Sequence, residues 1–186
     1  MKTNKIAIVA FVLLAALQIY LPASWAIESA ETLSYGKVLK FKTIPVDPKD
    51  LFRGNYIALN FENTRITVSD ADDWKEGDNI YIVLNVDEGQ FATYSHYEKD
   101  KPRPDINFVT ATVKHISRSP EPYVEIEYPF SKFYVEESIA KAAETAYRNA
   151  IAEGHNTYAV VMAENGKTVL KDVYIDSKSL TDGLKD

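Results

Sequence analysis

Three polar side chains stand close together in the stretch DLFRGNYIALNF and could bind a ligand: Arg53, Asn55 and Tyr56. Arg53 offers a rigid fork of hydrogen-bond donors that suits carboxylates and phosphates. Tyr56 adds a hydroxyl group, and Asn55 adds an amide that both donates and accepts hydrogen bonds. Together they could form a polar binding patch. The interpretation that the residue types favour is a buried ion pair in which Arg53 holds the loop by contacting Asp50 or Glu62.

The same part of the sequence also has the residues of a sharp corner in the chain. Asp47 and Pro48 begin a turn, because proline fixes φ and an aspartate side chain accepts hydrogen bonds from nearby amides. Gly54 can adopt backbone conformations that are closed to residues with a Cβ. Leu59 and Phe61 then alternate with other residues, as in a strand with one buried face. A structural motif of these five residues accounts for the stretch without a ligand.

Elsewhere the spacing of chemically reactive residues does not indicate a catalytic or metal centre. The histidines lie far apart, at His96, His115 and His155, and cysteine is absent, so neither a zinc site nor a thiol nucleophile is predicted. The acidic run that starts at Asp70 has its glycine, Gly77, at the eighth position, whereas an EF-hand loop needs it at the sixth. No serine lies in a Gly-x-Ser-x-Gly elbow.

The N-terminus carries an uncharged, strongly apolar run, Ile6–Ile27, preceded by Lys2 and Lys5. A membrane-spanning helix needs about 20 apolar residues, so residues 1–27 are predicted to form a single-pass anchor. Positive charge before the span predicts a cytoplasmic N-terminus in the inner membrane. Residues 28–186 would then form a domain in the periplasm, or on the outer face of the cell membrane.

A cleaved signal peptide is the alternative interpretation of the N-terminus. Ser24-Trp25-Ala26 approximates the small-x-small pattern at which such peptides are cut. Pro22 lies near the outer end of the apolar run, where a membrane helix can stop.

Charge limits the partners of the exported domain. Lys2 and Lys5 account for two of the 21 basic residues, so residues 28–186 carry 19 basic and 27 acidic side chains, a net charge near −8. This acidic balance disfavours nucleic acid and anionic lipid as main partners.

Short runs in which apolar residues alternate with polar ones dominate the chain after residue 27, as expected for half-buried strands. Strands are predicted at Lys37–Ile44, Tyr56–Phe61, Ile80–Val86, Phe91–Tyr97, Ile106–Ser117 and Tyr123–Tyr128. In the second of these runs Ile57, Leu59 and Phe61 share one face, which leaves Tyr56 on the other.

One helix and one hairpin complete the predicted domain. From Glu136 to Glu153 apolar residues recur at helical spacing, and Gly154 is the expected stop. Asn165-Gly166 between two alternating runs predicts a tight type I′ turn. The polar tail from Asp176 is expected to be loose. These elements predict a mainly β (α+β) fold, with an antiparallel sheet or a partly closed β-barrel-like domain, one amphipathic helix packed on it and an N-terminal transmembrane helix.

The segment Gly54–Phe61, with its Val-Asp-Pro-x-Asp-Leu-Phe-Arg lead-in, resembles the motif of the GDYxxLxY family of bacterial proteins. The element Phe133–Glu137 is similar to an aromatic-Val-x-Glu element of that family. Two positions depart from the motif: Asn55 replaces its aspartate and Phe61 replaces its last tyrosine. An amide cannot replace a catalytic carboxylate, but it can still close a turn, so these departures favour the structural corner.

The resemblance implies no established reaction, but it does imply an accessory protein that occurs beside polytopic membrane proteins. We therefore expect a membrane-anchored extracytoplasmic binding or accessory domain that partners a polytopic membrane protein and uses no cofactor or metal. The alternative is a periplasmic hydrolase with a serine or carboxylate active site that the sequence does not mark.

Overall fold

The computed structural model describes residues 2–45 and 56–184. Within these ranges the chain forms two α-helices, α1 (Lys2–Tyr35) and α2 (Glu137–Ala152), and a short 3₁₀ helix, Asp182–Leu184. The strands are β1 (Lys37–Ile44), β2 (Tyr56–Ala58), β3 (Asn60–Phe61), β4 (Arg65–Thr67), β5 (Asn79–Val86), β6 (Ala92–Glu98), β7 (Phe108–Ser117), β8 (Tyr123–Glu127), β9 (Lys132–Tyr134), β10 (Thr157–Glu164), β11 (Lys167–Ile175) and β12 (Lys178–Ser179).

The strands form two five-stranded sheets and a two-stranded ribbon. One sheet has the order β12-β11-β10-β1-β3, the other β4-β8-β7-β5-β6, and β2 pairs with β9. Backbone hydrogen bonds join the two sheets at both sides: the Lys40 amide donates to the Gln90 carbonyl at 2.8 Å, and the Thr110 amide donates to the Gly166 carbonyl at 2.9 Å. The result is a nearly closed, barrel-like domain, which confirms the predicted mainly β fold.

Strand β1 has the bounds and the facing that its alternating sequence predicts. Leu39 and Phe41 are buried, whereas Lys42 is exposed. The strand lies between β10 and β3, so its inner face contributes to the core from the middle of a sheet. Burial of such large apolar side chains stabilises a fold by roughly 1.5–3 kcal/mol each.

The predicted strand Tyr56–Phe61 is divided at Leu59, where the chain passes from one partner to another. Before this residue β2 pairs with β9, and after it β3 pairs with β1. Ile57, Leu59 and Phe61 are nevertheless all buried, as their shared face predicts. The chain therefore changes direction within the predicted strand, at Leu59.

A single hydrophobic core lies between the sheets and contains a cluster of four aromatic rings. Phe41, Phe61, Tyr128 and Phe130 contact one another in all six pairings, with ring centroids 4.8–6.0 Å apart. Because each such pair adds about 0.5–1.5 kcal/mol beyond the area that it buries, the cluster ties the motif strand to β1 and to the segment after β8.

Helix α2 forms as predicted, with Glu136 before it and Gly154 after it in a left-handed conformation (φ +78°). It packs against β10 and the 3₁₀ helix through a narrow face on which Ala143 and Tyr147 are fully buried. Small alanine side chains let the helix axis approach the sheet closely, and the large tyrosine reaches into the core.

The hairpin of β10 and β11 also forms as predicted, with positive φ at Asn165 (50°) and Gly166 (82°). A Cβ at Gly166 would overlap the Phe108 ring, so glycine is required there for packing as well as for backbone conformation. The sequence predicts a loose tail from Asp176 onward, and this prediction is wrong. Residues after Asp176 return as β12 beside β11, and Leu180 is 4% exposed because the core needs an apolar cover at that edge.

Helix α1 is long and apolar enough to cross a membrane, as the N-terminal run predicts. It does not stop at Pro22 or Ile27 but continues to Tyr35, where it meets the domain. Thr32 is 3% exposed, and the Glu28 carboxylate contacts the Lys167 ammonium group at 2.7 Å. The last turns of α1 thus pack on the β10–β11 hairpin because their polar residues find partners there.

Candidate functional site

The motif strand borders a cleft of about 310 Å³, here called the motif cleft. Its two walls come from β2–β3 and from the segment β8–β9. The cleft is lined by Tyr56, Ala58, Leu59, Asn60, Phe61, Thr64, Ile126, Glu127, Tyr128, Ser131 and Lys132.

The outer edge of the motif cleft is an aromatic pair that strand pairing creates. Tyr56 lies directly opposite Tyr134, and Ala58 lies opposite Lys132, in the antiparallel register of β2 and β9. The two tyrosine rings have centroids 5.5 Å apart, and the Lys132 ammonium group lies 5.6 Å from the centre of the Tyr56 ring. Tyr134 is 69% exposed, and tyrosine is a residue type enriched at protein interfaces.

The floor of the motif cleft is rigid because it belongs to the core. Leu59 is buried, and its amide donates to the Ser131 carbonyl at 2.8 Å, which ties the two walls together. Phe61 and Tyr128 also reach the floor, and both belong to the four-ring cluster. The outward side chains are therefore presented on a surface that cannot easily rearrange.

One end of the motif cleft carries a short polar network. The Ser131 hydroxyl donates a hydrogen bond to Glu127 Oε1 at 3.3 Å, and the Lys114 ammonium group forms an ion pair with Glu127 Oε2. A serine beside a carboxylate has the residue types of a nucleophile and a base. Here the other oxygen of the carboxylate is held in an ion pair with Lys114, so the network as a whole is a surface ion pair with a serine attached to it.

A second cleft of about 400 Å³ lies on the other side of Phe61 and Tyr128. Burial raises the pKa of Tyr128, and the neighbouring Tyr94 raises it further. Burial also raises the pKa of Tyr94 itself, with a contribution from Tyr97. Both phenols are protonated at neutral pH, so they can donate hydrogen bonds but cannot act as phenolate bases or nucleophiles.

The structure brings some of the predicted site residues together. Tyr56 faces the motif cleft, and Leu59 and Phe61 form its floor, as the alternation of the strand predicts. The remaining residues predicted for the patch and the corner lie outside the described residues: Asp47, Pro48, Arg53, Gly54 and Asn55. The predicted ion pair of Arg53 lies outside them too.

Sequence reasoning missed the opposite wall of the cleft. Lys132 lines this wall from β9, which was not predicted as a strand, and Glu127 lies at the end of β8. Tyr134, also on β9, packs beside Tyr56 at the edge of the cleft. The sequence signal for β9 was the short run Lys132-Phe133-Tyr134, in which an apolar residue lies between two with polar groups. The structure matches this alternation, since Phe133 is 9% exposed and its two neighbours are exposed. This alternation of only three residues predicts a strand but does not show which strand it pairs with.

The other groups considered for chemistry are dispersed. His96, His115 and His155 contact different acids, namely Glu98, Glu76 and Asp176. Over residues 2–45 and 56–184 no cluster of three or more His, Cys, Asp or Glu side chains could hold a metal ion. A Ser-x-x-Lys spacing occurs at the start of α2, but both its side chains, Ser138 and Lys141, are exposed and line neither cleft.

Fold and site together define a class of protein: a barrel-like β domain that follows an apolar N-terminal helix and presents an aromatic cleft beside its motif strand. The family model described as GDYXXLXY protein matches residues 18–173, from the middle of α1 to β11. The chain belongs to this family. Searches of curated proteins and of solved structures found no match.

Proposed function

We propose that the chain is a single-pass membrane protein whose domain lies outside the cell membrane and serves as an accessory module for an integral membrane partner. The observation that carries this proposal is the continuity of α1, which runs from Lys2 to Tyr35 and enters β1 after a single residue, Gly36. No flexible linker separates the apolar part of the chain from the domain.

The junction keeps the domain close to the membrane. The residues of α1 after the apolar run, Glu28–Tyr35, form about two turns, so the domain begins within about 12 Å of its end. A Cβ at Gly36 would overlap the Thr32 carbonyl oxygen and crowd the Ala163 backbone of β10, so the junction is closely packed against the domain. A domain held in this way is positioned to contact proteins in the same membrane rather than distant ones.

The motif cleft supplies the contact surface for such a partner. Tyr56, Tyr134 and Lys132 place two aromatic rings and a cation at its edge, on a floor fixed by the core. Aromatic residues are enriched in protein interfaces because they combine large apolar area with few rotatable bonds. The partner expected from these features is an extracytoplasmic loop of a polytopic membrane protein.

Photo-crosslinking in native membranes tests this assignment. A photoreactive residue replaces Tyr56 in one variant and Tyr94, in or beside the second cleft, in another, and adducts are identified by mass spectrometry. We expect capture of one polytopic protein from position 56. If neither position 56 nor position 94 gives an adduct, and full-length chain is present in the membrane in normal amounts, the accessory function is overturned.

The side of the membrane on which the domain lies is tested separately, by labelling single cysteines. The chain has no cysteine of its own, so each introduced cysteine is the only thiol that can react. A single cysteine in place of the exposed Tyr134 should react with a membrane-impermeant maleimide in cells whose cell membrane is intact. A matched cysteine in place of Lys5 should react only after the membrane is opened. Labelling of position 5 but not of position 134 in intact cells would show that the orientation is reversed.

One observation favours a second candidate function, a hydrolase that uses Ser131. Its hydroxyl donates to Glu127 within a cleft that also contains Lys132. A serine-reactive probe added to intact membranes would label the chain in that case, and Ser131→Ala would abolish the labelling. We expect no labelling that depends on Ser131, because Lys114 holds the Glu127 carboxylate.

A further inference from the structure

Gln18 is a polar residue in the middle of the apolar part of α1. It lies 12 positions after Ile6 and nine before Ile27, the two ends of the uncharged run. At 1.5 Å per residue these distances are about 18 and 14 Å, so in a hydrocarbon layer of about 30 Å the Gln18 side chain lies near the midplane. If α1 spans the membrane, as the proposed function requires, this carboxamide is placed where no water can reach it.

Pro22 leaves a second polar group without its usual partner at the same position. In an α-helix the amide of residue 22 would donate to the carbonyl of Gln18, but proline has no N–H. The helix nevertheless continues through Pro22. Since residues four apart share a helix face, the free carbonyl and the carboxamide of Gln18 lie on the same side of α1.

Two other polar side chains of α1, those of Ser24 and Ser34, are satisfied within the helix. The Ser24 hydroxyl donates to the Leu21 carbonyl at 2.9 Å, and the Ser34 hydroxyl donates to the Ala30 carbonyl at 2.8 Å. The Gln18 side chain, in contrast, is exposed, and the most apolar window of α1 is not covered by any other described part of the chain. An unsatisfied polar group in hydrocarbon is strongly unfavourable, so a partner at this depth would stabilise the helix in the membrane.

We propose that Gln18 joins two copies of this chain through a parallel pair of α1 helices. Each carboxamide donates to the other copy's Gln18, at either its side-chain or its backbone carbonyl. This proposal rests on the membrane anchor of the proposed function and adds a second copy as a partner.

A second copy fits this site better than an unrelated helix because the site is self-complementary. A carboxamide both donates and accepts, and the free backbone carbonyl supplies one more acceptor. Two copies inserted in the same orientation place Gln18 at the same depth without further adjustment. Ala15, one turn before Gln18, is small and lets the two helices approach closely.

Disulfide crosslinking of the full chain in native membranes tests the pairing, because any cysteine introduced is the only one present. Trp25→Cys lies seven residues from Gln18, about 20° away around the helix, whereas Ile27→Cys lies about 180° away. Both positions are near the end of the apolar run, where an added oxidant has access. We expect Trp25→Cys to form a disulfide-linked pair of identical chains and Ile27→Cys to form much less.

Substitutions at the polar position then test its role. Gln18→Leu in the Trp25→Cys background should lower the association constant roughly 3- to 20-fold, the range given by interhelical hydrogen bonds. Gln18→Asn keeps the amide and should retain most of the pairing. Pro22→Ala restores an N–H at position 22 and should lower the pairing less than Gln18→Leu does.

The other outcomes overturn the pairing, the anchor or the proposed function, and they can be told apart. Equal crosslinking of the two cysteine variants, or a yield unchanged by Gln18→Leu, would show that Gln18 joins no second copy. A Gln18-dependent adduct with another protein would assign the site to a helix of that protein. Loss of the N-terminal segment from the membrane-bound chain would overturn the anchor as well. Pairing through α1 with no adduct from position 56 or from position 94 would overturn only the accessory function.

Discussion

On the motif strand, Ile57, Leu59 and Phe61 are at most 3% exposed. Tyr56 and Ala58, which alternate with them, are only half-buried. The inner set packs into the common core of the two sheets. The outer set, Tyr56 and Ala58, faces the motif cleft and lies opposite residues of β9. Neighbouring residues in one short stretch therefore belong to different parts of the molecule, and the buried ones fix the position of the exposed ones.

This difference divides the positions of the family motif by role. Leu59 and Phe61, which correspond to the leucine and the last tyrosine of the motif, lie in the core, and Phe61 contacts three other rings. Tyr56, which corresponds to the first tyrosine, points to the cleft. Substitutions on the two faces should thus separate stability from binding.

The largest effect is expected on the inner face. Phe61→Ala removes one ring from the four-ring cluster and leaves a cavity, so the free energy of unfolding should fall by about 3–5 kcal/mol. Denaturation of the full chain in detergent micelles, followed by the fluorescence of the buried Trp74, measures this change. Phe61→Leu keeps most of the apolar volume and should cost less, which preserves the comparison if the alanine variant does not fold. A loss below about 1 kcal/mol for Phe61→Ala would contradict the central position of this ring.

The sequence predicted best those elements whose signals are local. Helix α2 depends on apolar spacing and a stop at Gly154, and both are visible within a few turns. The β10–β11 hairpin depends on Asn165-Gly166, where positive φ is required at two successive residues. Strand β1 depends on simple alternation. In each case the residues that decide the structure are neighbours in the chain.

Elements that depend on distant partners were predicted incompletely or not at all. The division of the motif strand at Leu59 arises because β2 pairs with β9 while β3 pairs with β1. Strand β12 exists because Leu180 covers the edge of the core. Polar residues of α1 beyond Ile27 remain helical because Lys167 and the hairpin contact them. None of these partners can be identified from local alternation.

The candidate site shows the same limit. Tyr56 could be assigned to an outward face from the alternation of its own strand. The wall that completes the cleft, with Glu127, Ser131 and Lys132, comes from a part of the chain more than 65 residues later. One aromatic of the pair was therefore predictable, and its position beside Tyr134 was not.

A buried tyrosine gives the next largest effect and sharpens the contrast with the exposed pair. The Tyr147 hydroxyl is buried and has no hydrogen-bond partner among the described residues. The nearby Thr43 hydroxyl donates instead to Thr157 at 2.7 Å. Tyr147→Phe removes a desolvated polar group without loss of a bond, so we expect the free energy of unfolding to rise by about 1 kcal/mol at neutral pH. Thermal or chemical denaturation of both chains checks the sign.

The same hydroxyl should make stability fall at alkaline pH. Burial raises the pKa of Tyr147 from its ordinary value of 10.0 to about 12. Between pH 10 and 12 the unfolded chain has lost this proton and the folded chain retains it. The free energy of unfolding therefore decreases as pH rises through this window, by up to about 1.4 kcal/mol per pH unit. Tyr147→Phe should decrease less steeply, and equal slopes for the two chains would contradict the assignment.

The smallest effect on stability is expected on the outer face, where the effect on binding should be largest. Tyr56→Ala and Tyr134→Ala each remove one ring of a solvent-facing cross-strand pair, so each should lower the free energy of unfolding by less than about 1 kcal/mol. Both should nevertheless reduce co-purification of the membrane protein that we propose as the partner from native membranes. Tyr123→Ala is the matched control, since Tyr123 also contacts a cation, with Arg65 at 4.4 Å from its ring centre, but neither lines the motif cleft nor packs against Tyr56 as Tyr134 does. Equal loss of the partner from all three variants would show that binding depends on general stability, and no loss from any of them would place the contact surface elsewhere on the domain.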